Sequence, residues 1–170
     1  EVALWEQGSV PSLYQSDASW ADVPYGQATL ASTGAAPVAL AMAYVAATGD
    51  TTYTPVEFAQ WATDHDLTAA GVDTIGAFLQ QGGSAFGLAV EPMPVDDRTL
   101  RHAIVANVPV LVITQPGTFA PAASVVVLDD IDKDSHIVLH DPMSASRSAK
   151  GWSFDDITGA AALAFTVHEA

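Results

Sequence analysis

The sequence predicts an α+β fold, with a helical first part packed as one layer on an antiparallel sheet formed by the second. Two observations carry this. Apolar residues recur at helical spacing between residues 31 and 107, with caps and stops dividing them. From residue 108 onward they gather instead into short β-branched runs separated by turns. The 170 residues, 49% hydrophobic and 15% charged, suit a single domain, 1–170, with a core of useful size.

Residues 1–30 are rich in turn formers and carry Trp5, Tyr14, Trp20 and Tyr25, so they read as a lead-in that wraps a core. Ala35 to about Thr48 is Ala-rich, with Val38, Met42 and Val45 at helical spacing and Gly49 as its stop. Ser32 or Thr33 is the expected cap, and Pro37 suits the first turn. Thr54-Pro55-Val56-Glu57 has the form of a capping box opening a helix through about Thr63. Asp73 is expected to open another, with Ile75, Phe78 and Leu79 on one face and Gly82-Gly83 as its stop. Asp96 caps a further helix across Leu100, Ile104 and Val105, ended by Asn107 and Pro109. The segments 110–113, 124–128 and 137–139 then read as strands, the last two joined by the acidic turn 129–135. Ser153 to Asp156 reads as a short capped turn and 162–167 as a closing strand.

Twenty acidic residues against five basic give a formal charge of −15. Such a field repels phosphate backbones and anionic headgroups, which makes nucleic acid and membrane surfaces poor candidates as partners. No apolar run approaches the roughly 20 residues of a membrane span. The chain has no cysteine, so disulfides, thiolate metal sites and cysteine nucleophiles are all excluded. No signal peptide is visible, but Glu1 is not an initiator, so the chain reads as a mature form or as a piece cut from a longer one.

Several landmarks occur in a characteristic order. Gln15-Ser16-Asp17-Ala18-Ser19-Trp20-Ala21 is followed by Tyr25-Gly26, Ser32-Thr33-Gly34 and Leu40-Ala41-Met42. Thr54-Pro55, Phe86-Gly87-Leu88, Gly117-Thr118-Phe119 and Asp141-Pro142 come after them. In this the chain resembles the C39 peptidase-like family of bacterial cysteine peptidases, whose opening motif is usually Gln-Ser-Asp-Pro-x-Trp-Ala. The resemblance runs from about Val10 to Val167 and implies a papain-like (cysteine proteinase) fold.

Carried over by position, it also implies that the chemistry is gone. The family's Cys-Gly-Pro corresponds to Ala35-Ala36-Pro37, which places Ala35 where the nucleophile belongs. The Gly-His that opens a later strand corresponds to Ala123-Ser124, making Ser124 the base position. Asp141 retains the third member. Gln15 and Gln27 are both candidates for the oxyanion-hole glutamine. A thiol peptidase needs a thiolate activated at a helix N-terminus, with imidazole to move the proton and a carboxylate to orient it. A methyl group cannot attack a carbonyl, and a hydroxyl is no base at neutral pH. A single Cys→Ala change would explain Ala35 but not Ala36, Ala123 and Ser124, so the site reads as naturally degenerate.

Other constellations carry less. Asp130, Asp132, Asp134 and Asp141 have the outline of a calcium loop. Ser135 stands where that loop needs Gly, and Asp141 where it needs a bidentate Glu, so a solvated hairpin is expected. His136 and His140 on one strand lie about 13 Å apart, too far to share an ion. No metal and no cofactor are expected. A replacement triad would draw on Ser32, Thr33 or Ser124 with His102, His140 or another histidine as base. Trp20, Tyr25, Trp61 and Phe119 are candidates to line a peptide groove, though aromatic residues in a compact domain usually serve the core.

The expectation is therefore a pseudo-peptidase domain of an exported or surface-displayed bacterial protein, which binds rather than cuts. Its ligand would be a peptide or protein, neutral or basic in view of the acidic walls expected around the cleft. Gln15, Gln27, Trp20 and Tyr25 are the expected binding residues. The alternatives are a hydrolase with a non-cysteine nucleophile and a purely structural domain of a surface protein.

Overall fold

A computed structural model describes residues 7–170, so Trp5 of the lead-in lies outside the described residues. In chain order the elements are β1 (Pro24–Tyr25), β2 (Ala28–Thr29), α1 (Leu30–Thr33), α2 (Ala35–Thr48), α3 (Pro55–Asp64) and α4 (Val72–Ala85). There follow β3 (Leu88–Met93), α5 (Asp97–Val105), β4 (Val110–Thr114), β5 (Ser124–Ile131) and β6 (Ile137–His140). The chain closes through α6 (Ala145–Ala149), α7 (Phe154–Ala160) and β7 (Ala161–Glu169).

The result is a mixed helix-and-sheet fold. Its main sheet has five strands in the order β3-β7-β4-β5-β6, and every neighbouring pair is antiparallel. The expected two layers are in fact three. Leu111 and Ile113 of β4, with Val125 and Val127 of β5, pack into one cluster with α2, α3 and α4. Val110, Val112, Val126 and Leu128 face the other way, into a second cluster with Leu100 and Ile104 of α5 and Ile157 of α7. All five residues of β4 are buried, which is why that strand is an unbroken apolar run rather than an alternating one. Each such Val, Leu or Ile contributes about 1.5–3 kcal/mol by leaving water.

Helix α2 lies at the centre of the first cluster, with Ala35 through Ala46 all buried. Small side chains let its neighbours approach from every side. Its cap is not Ser32 or Thr33 but Gly34, which offers no side-chain hydrogen bond. A Cβ at Gly34 would stand 2.6 Å from the Leu30 carbonyl oxygen, so the chain can turn from α1 into α2 only through glycine. Ser32 is instead used within α1, taking the Thr29 N–H at 3.1 Å and donating to the Thr29 carbonyl at 3.0 Å.

Elsewhere the local signals match the termini. Thr54 Oγ1 accepts the Val56 N–H while the Thr54 N–H donates to Glu57 Oε2, and Pro55 opens α3. Asp96 caps α5 through the Thr99 N–H at 2.7 Å. Ser153 and Asp156 form a reciprocal box at the start of α7, which runs on to Ala160 and exceeds the single turn expected.

Three expectations need correction. Helix α4 begins at Val72 with Gly71 as its cap, and Gly82-Gly83 lie inside it. Strand β3 falls within the stretch expected to be mainly helical. It is an edge strand, where Pro92 is tolerated because one side of the backbone has no ladder partner. The acidic residues Asp129 and Asp130 belong to β5, so the turn to β6 is shorter than the 129–135 expected. Helix α6 and the small β1–β2 ladder were not expected at all.

Candidate functional site

A cavity of about 570 Å³ opens where the start of α2 meets the β1–β2 hairpin, the 68–70 loop and the segment 120–123 that leads into β5. Ala35 and Ala36 line it from α2, Gln15 and Tyr25 from the lead-in, and Ser124 and Met143 from the sheet side. Gln27 lines it from the exposed tip of the hairpin. None of its lining residues is Asp, Glu, Lys, Arg or His. The acidic walls expected from a chain of charge −15 are therefore not found here.

Ala35 is the first residue of α2, and the methyl groups of Ala35 and Ala36 stand where that helix begins. On the sheet side, Ser124 opens β5 and lines the same cavity as Ala35, next to Ala123, which packs against the α2 cluster. Along β5, Val125 and Val127 pack with α2, whereas Val126 and Leu128 pack on the opposite face. Ser124 Oγ donates to the Met143 thioether at 3.5 Å, and Met143 lines the cavity as well.

Asp141 follows β6 and is only 1% exposed. Its Oδ2 accepts the Arg147 Nε–H at 2.6 Å, and its Oδ1 accepts the Met143 N–H at 2.8 Å. It does not line the cavity but reaches the wall through Met143, whose backbone it fixes. Ser148 Oγ in turn accepts the Asp141 backbone N–H at 2.8 Å, so helix α6 holds the carboxylate through Arg147 and the main chain of the same residue through Ser148.

Gln15 is 4% exposed, and its Nε2 donates to the Ala31 carbonyl at 2.9 Å. A carbonyl oxygen only accepts, so the amide is fixed with its NH₂ toward Ala31 and its Oε1 turned away. That Oε1 is buried and accepts no hydrogen bond from the described residues. Leaving a buried acceptor unmatched costs about 1–3 kcal/mol. The backbone N–H of Gln15 donates to the Pro142 carbonyl at 2.9 Å, which ties the lead-in to the loop carrying Asp141 and Met143. Tyr25 is also buried, and burial pushes its phenol up to about 12, so it stands at the wall as a neutral hydroxyl.

Of the four aromatic candidates only Tyr25 reaches the cavity. Trp20 is buried, with its indole N–H on the Tyr14 carbonyl at 2.8 Å. Trp61 stacks on His65, and Phe119 packs against Trp152. Those three serve packing, as large rings in a small domain commonly do.

No histidine lines the cavity. His140 Nε2 lies 2.9 Å from Asp129 Oδ2, and its Nδ1 lies 3.3 Å from Ser12 Oγ. This Ser–His–Asp chain does not use Ser32, Thr33 or Ser124, and none of its three members lines the cavity. Ser12 and His140 are 128 residues apart, and nothing in the sequence signals their meeting. His102 is exposed on α5, across the sheet from the cavity. Asp132 Oδ1 accepts the N–H groups of Asp134 and His136, so that carboxylate closes the β5–β6 turn and is held below its usual range by those bonds. Among the described residues no three His, Asp or Glu side chains are placed to hold one metal ion, and no helix is long and apolar enough to cross a membrane.

Comparison with protein-family models, with curated proteins and with solved structures finds no match.

Proposed function

We propose that this chain is a non-catalytic, papain-like domain of the C39 peptidase-like kind, serving an exported bacterial protein by binding a peptide or protein segment in the cavity at the start of α2. The observation that carries the reading is that Ala35 and Ser124 line one cavity, with the buried carboxylate of Asp141 just behind its wall. On this reading the nucleophile and base positions fall at a helix start and a strand start, and the side chains there are a methyl group and a hydroxyl. A cavity of this size, mostly apolar with a few polar atoms at its wall, suits a ligand that is held and not altered.

The test restores the missing groups. Ala35→Cys combined with Ser124→His should give a thiol that alkylates at least about tenfold faster than Ala35→Cys alone at neutral pH. If the double variant does not outpace the single one, the papain-like reading of the site fails. A hydrolase reading would instead require turnover by the unaltered chain that is lost in Ser12→Ala or His140→Ala.

A further inference from the structure

With no cysteine in the chain, its sulfur is confined to three methionines. Met42 lies inside α2 with no exposure, and its Sδ accepts the Leu13 N–H at 3.4 Å. Met93 ends β3, half-buried against the cluster on the far face of the sheet. Met143 differs from both. It lies just beyond β6, is 43% exposed, and lines the cavity at the start of α2. Its backbone is fixed, since Asp141 Oδ1 accepts its N–H at 2.8 Å. Its side chain is held less firmly. The Ser124 hydroxyl, on a residue only 2% exposed, donates to the Met143 sulfur at 3.5 Å, and a thioether is a weak acceptor.

We propose that Met143 is a site of reversible oxidation by peroxides, and that its sulfoxide, anchored by Ser124, closes the cavity to apolar ligands. This rests on the reading of the cavity as a binding site and adds a means of regulating it. In the step, a sulfur lone pair takes one oxygen of hydrogen peroxide and the O–O bond breaks. The departing hydroxide collects the proton left on the new S–O group and becomes water. Sulfur gives up two electrons, and the peroxide accepts them.

The product forms where the fold can use it. A thioether side chain is apolar and adaptable, whereas a sulfoxide is polar and its oxygen is a strong acceptor. The buried Ser124 hydroxyl thereby gains a better partner than sulfur, and the new bond keeps the polar oxygen at the wall instead of in solvent. An apolar group entering the cavity must then strip water from the sulfoxide or break its bond to Ser124. Met42 and Met93 offer nothing comparable, because one is sealed in the core and the other lies across the sheet.

The test exposes the folded chain to hydrogen peroxide at neutral pH and follows each methionine by peptide mass. Binding is measured with a neutral solvatochromic dye, Nile red, whose site is located through the amide resonances of Ala35, Ala36 and Ser124. Met143 should gain its oxygen ahead of Met93 and at least about tenfold faster than Met42. Dye affinity should fall at least about fivefold on oxidation and return after treatment with the two methionine sulfoxide reductases. In Met143→Leu, peroxide should leave the affinity where it stood before treatment. In Ser124→Ala the fall should shrink by at least half, with that variant's fold checked by circular dichroism. The inference is overturned if Met143 reacts no faster than Met42, if the oxidised chain binds dye as before, or if Ser124→Ala leaves the fall undiminished. Each of those results leaves the binding-site reading standing. A dye that moves none of the three resonances in the reduced chain removes the binding site, and the gate with it.

Discussion

Asp141 and Arg147 form an ion pair at 2.6 Å in which the carboxylate is 1% exposed and the arginine side chain 29% exposed. The sequence could suggest that Asp141 mattered, but not why, because its partner lies in α6, a helix with no strong apolar pattern. A buried carboxylate robbed of its cation is costly, whereas removing both charges is often nearly neutral. Arg147→Met should therefore destabilise the fold by about 2–4 kcal/mol, somewhat reduced because solvent reaches the guanidinium. Adding Asp141→Asn to that variant should recover more than half of the loss in urea unfolding. If the second change deepens the loss, the pair is not what holds this corner.

Helix α4 and strand β3 pose the corresponding problem one level up. Gly82-Gly83 looks like a helix stop because glycine is a poor helix former and common at helix ends. Here the pair serves close approach. A Cβ at Gly83 would stand 2.5 Å from Val90 Cγ2, so the helix can lie against the edge strand only where it has no side chain. Gly83→Ala gains helix propensity of about 1 kcal/mol but overpacks the contact by about 1–3 kcal/mol. A net loss of about 1 kcal/mol is expected, and a double-mutant cycle with Val90→Ala should show coupling of at least about 1 kcal/mol. Additive effects would mean that the two surfaces do not meet. Helices α3 and α5 were legible because spacing and caps agreed on them, and α2 from its spacing and the Gly49 stop. Strand β3 was not, since Pro92 argues against a strand everywhere except at an edge, and an edge is known only after the sheet is assembled.

The molecule as a whole carries a charge of −15 on a sheet covered on both faces. The second covering layer was not legible in the sequence, because nothing in the patterns of α5 and α7 says which face of the sheet they cover until β4 is seen buried on both sides. Among the described residues only two pairs of opposite charge lie within bonding distance, and one of them involves a histidine. Repulsion between the remaining acids is thus poorly compensated and should yield to screening. Raising monovalent salt from about 0.01 to 0.15 M shortens the Debye length from about 30 to 8 Å. A gain on the order of 1 kcal/mol, or about 2–4 °C in Tm, is the expected result. A flat or falling Tm would show that the acids are spaced too widely to matter. The order of the sheet has a consequence for biosynthesis. Strand β7 is inserted between β3 and β4, so a nascent chain holding everything up to residue 160 still has two open seams in the middle of its sheet. Until the last strand emerges from the ribosome, those raw edges are templates for the wrong neighbour, and chaperones or rapid synthesis must cover the interval.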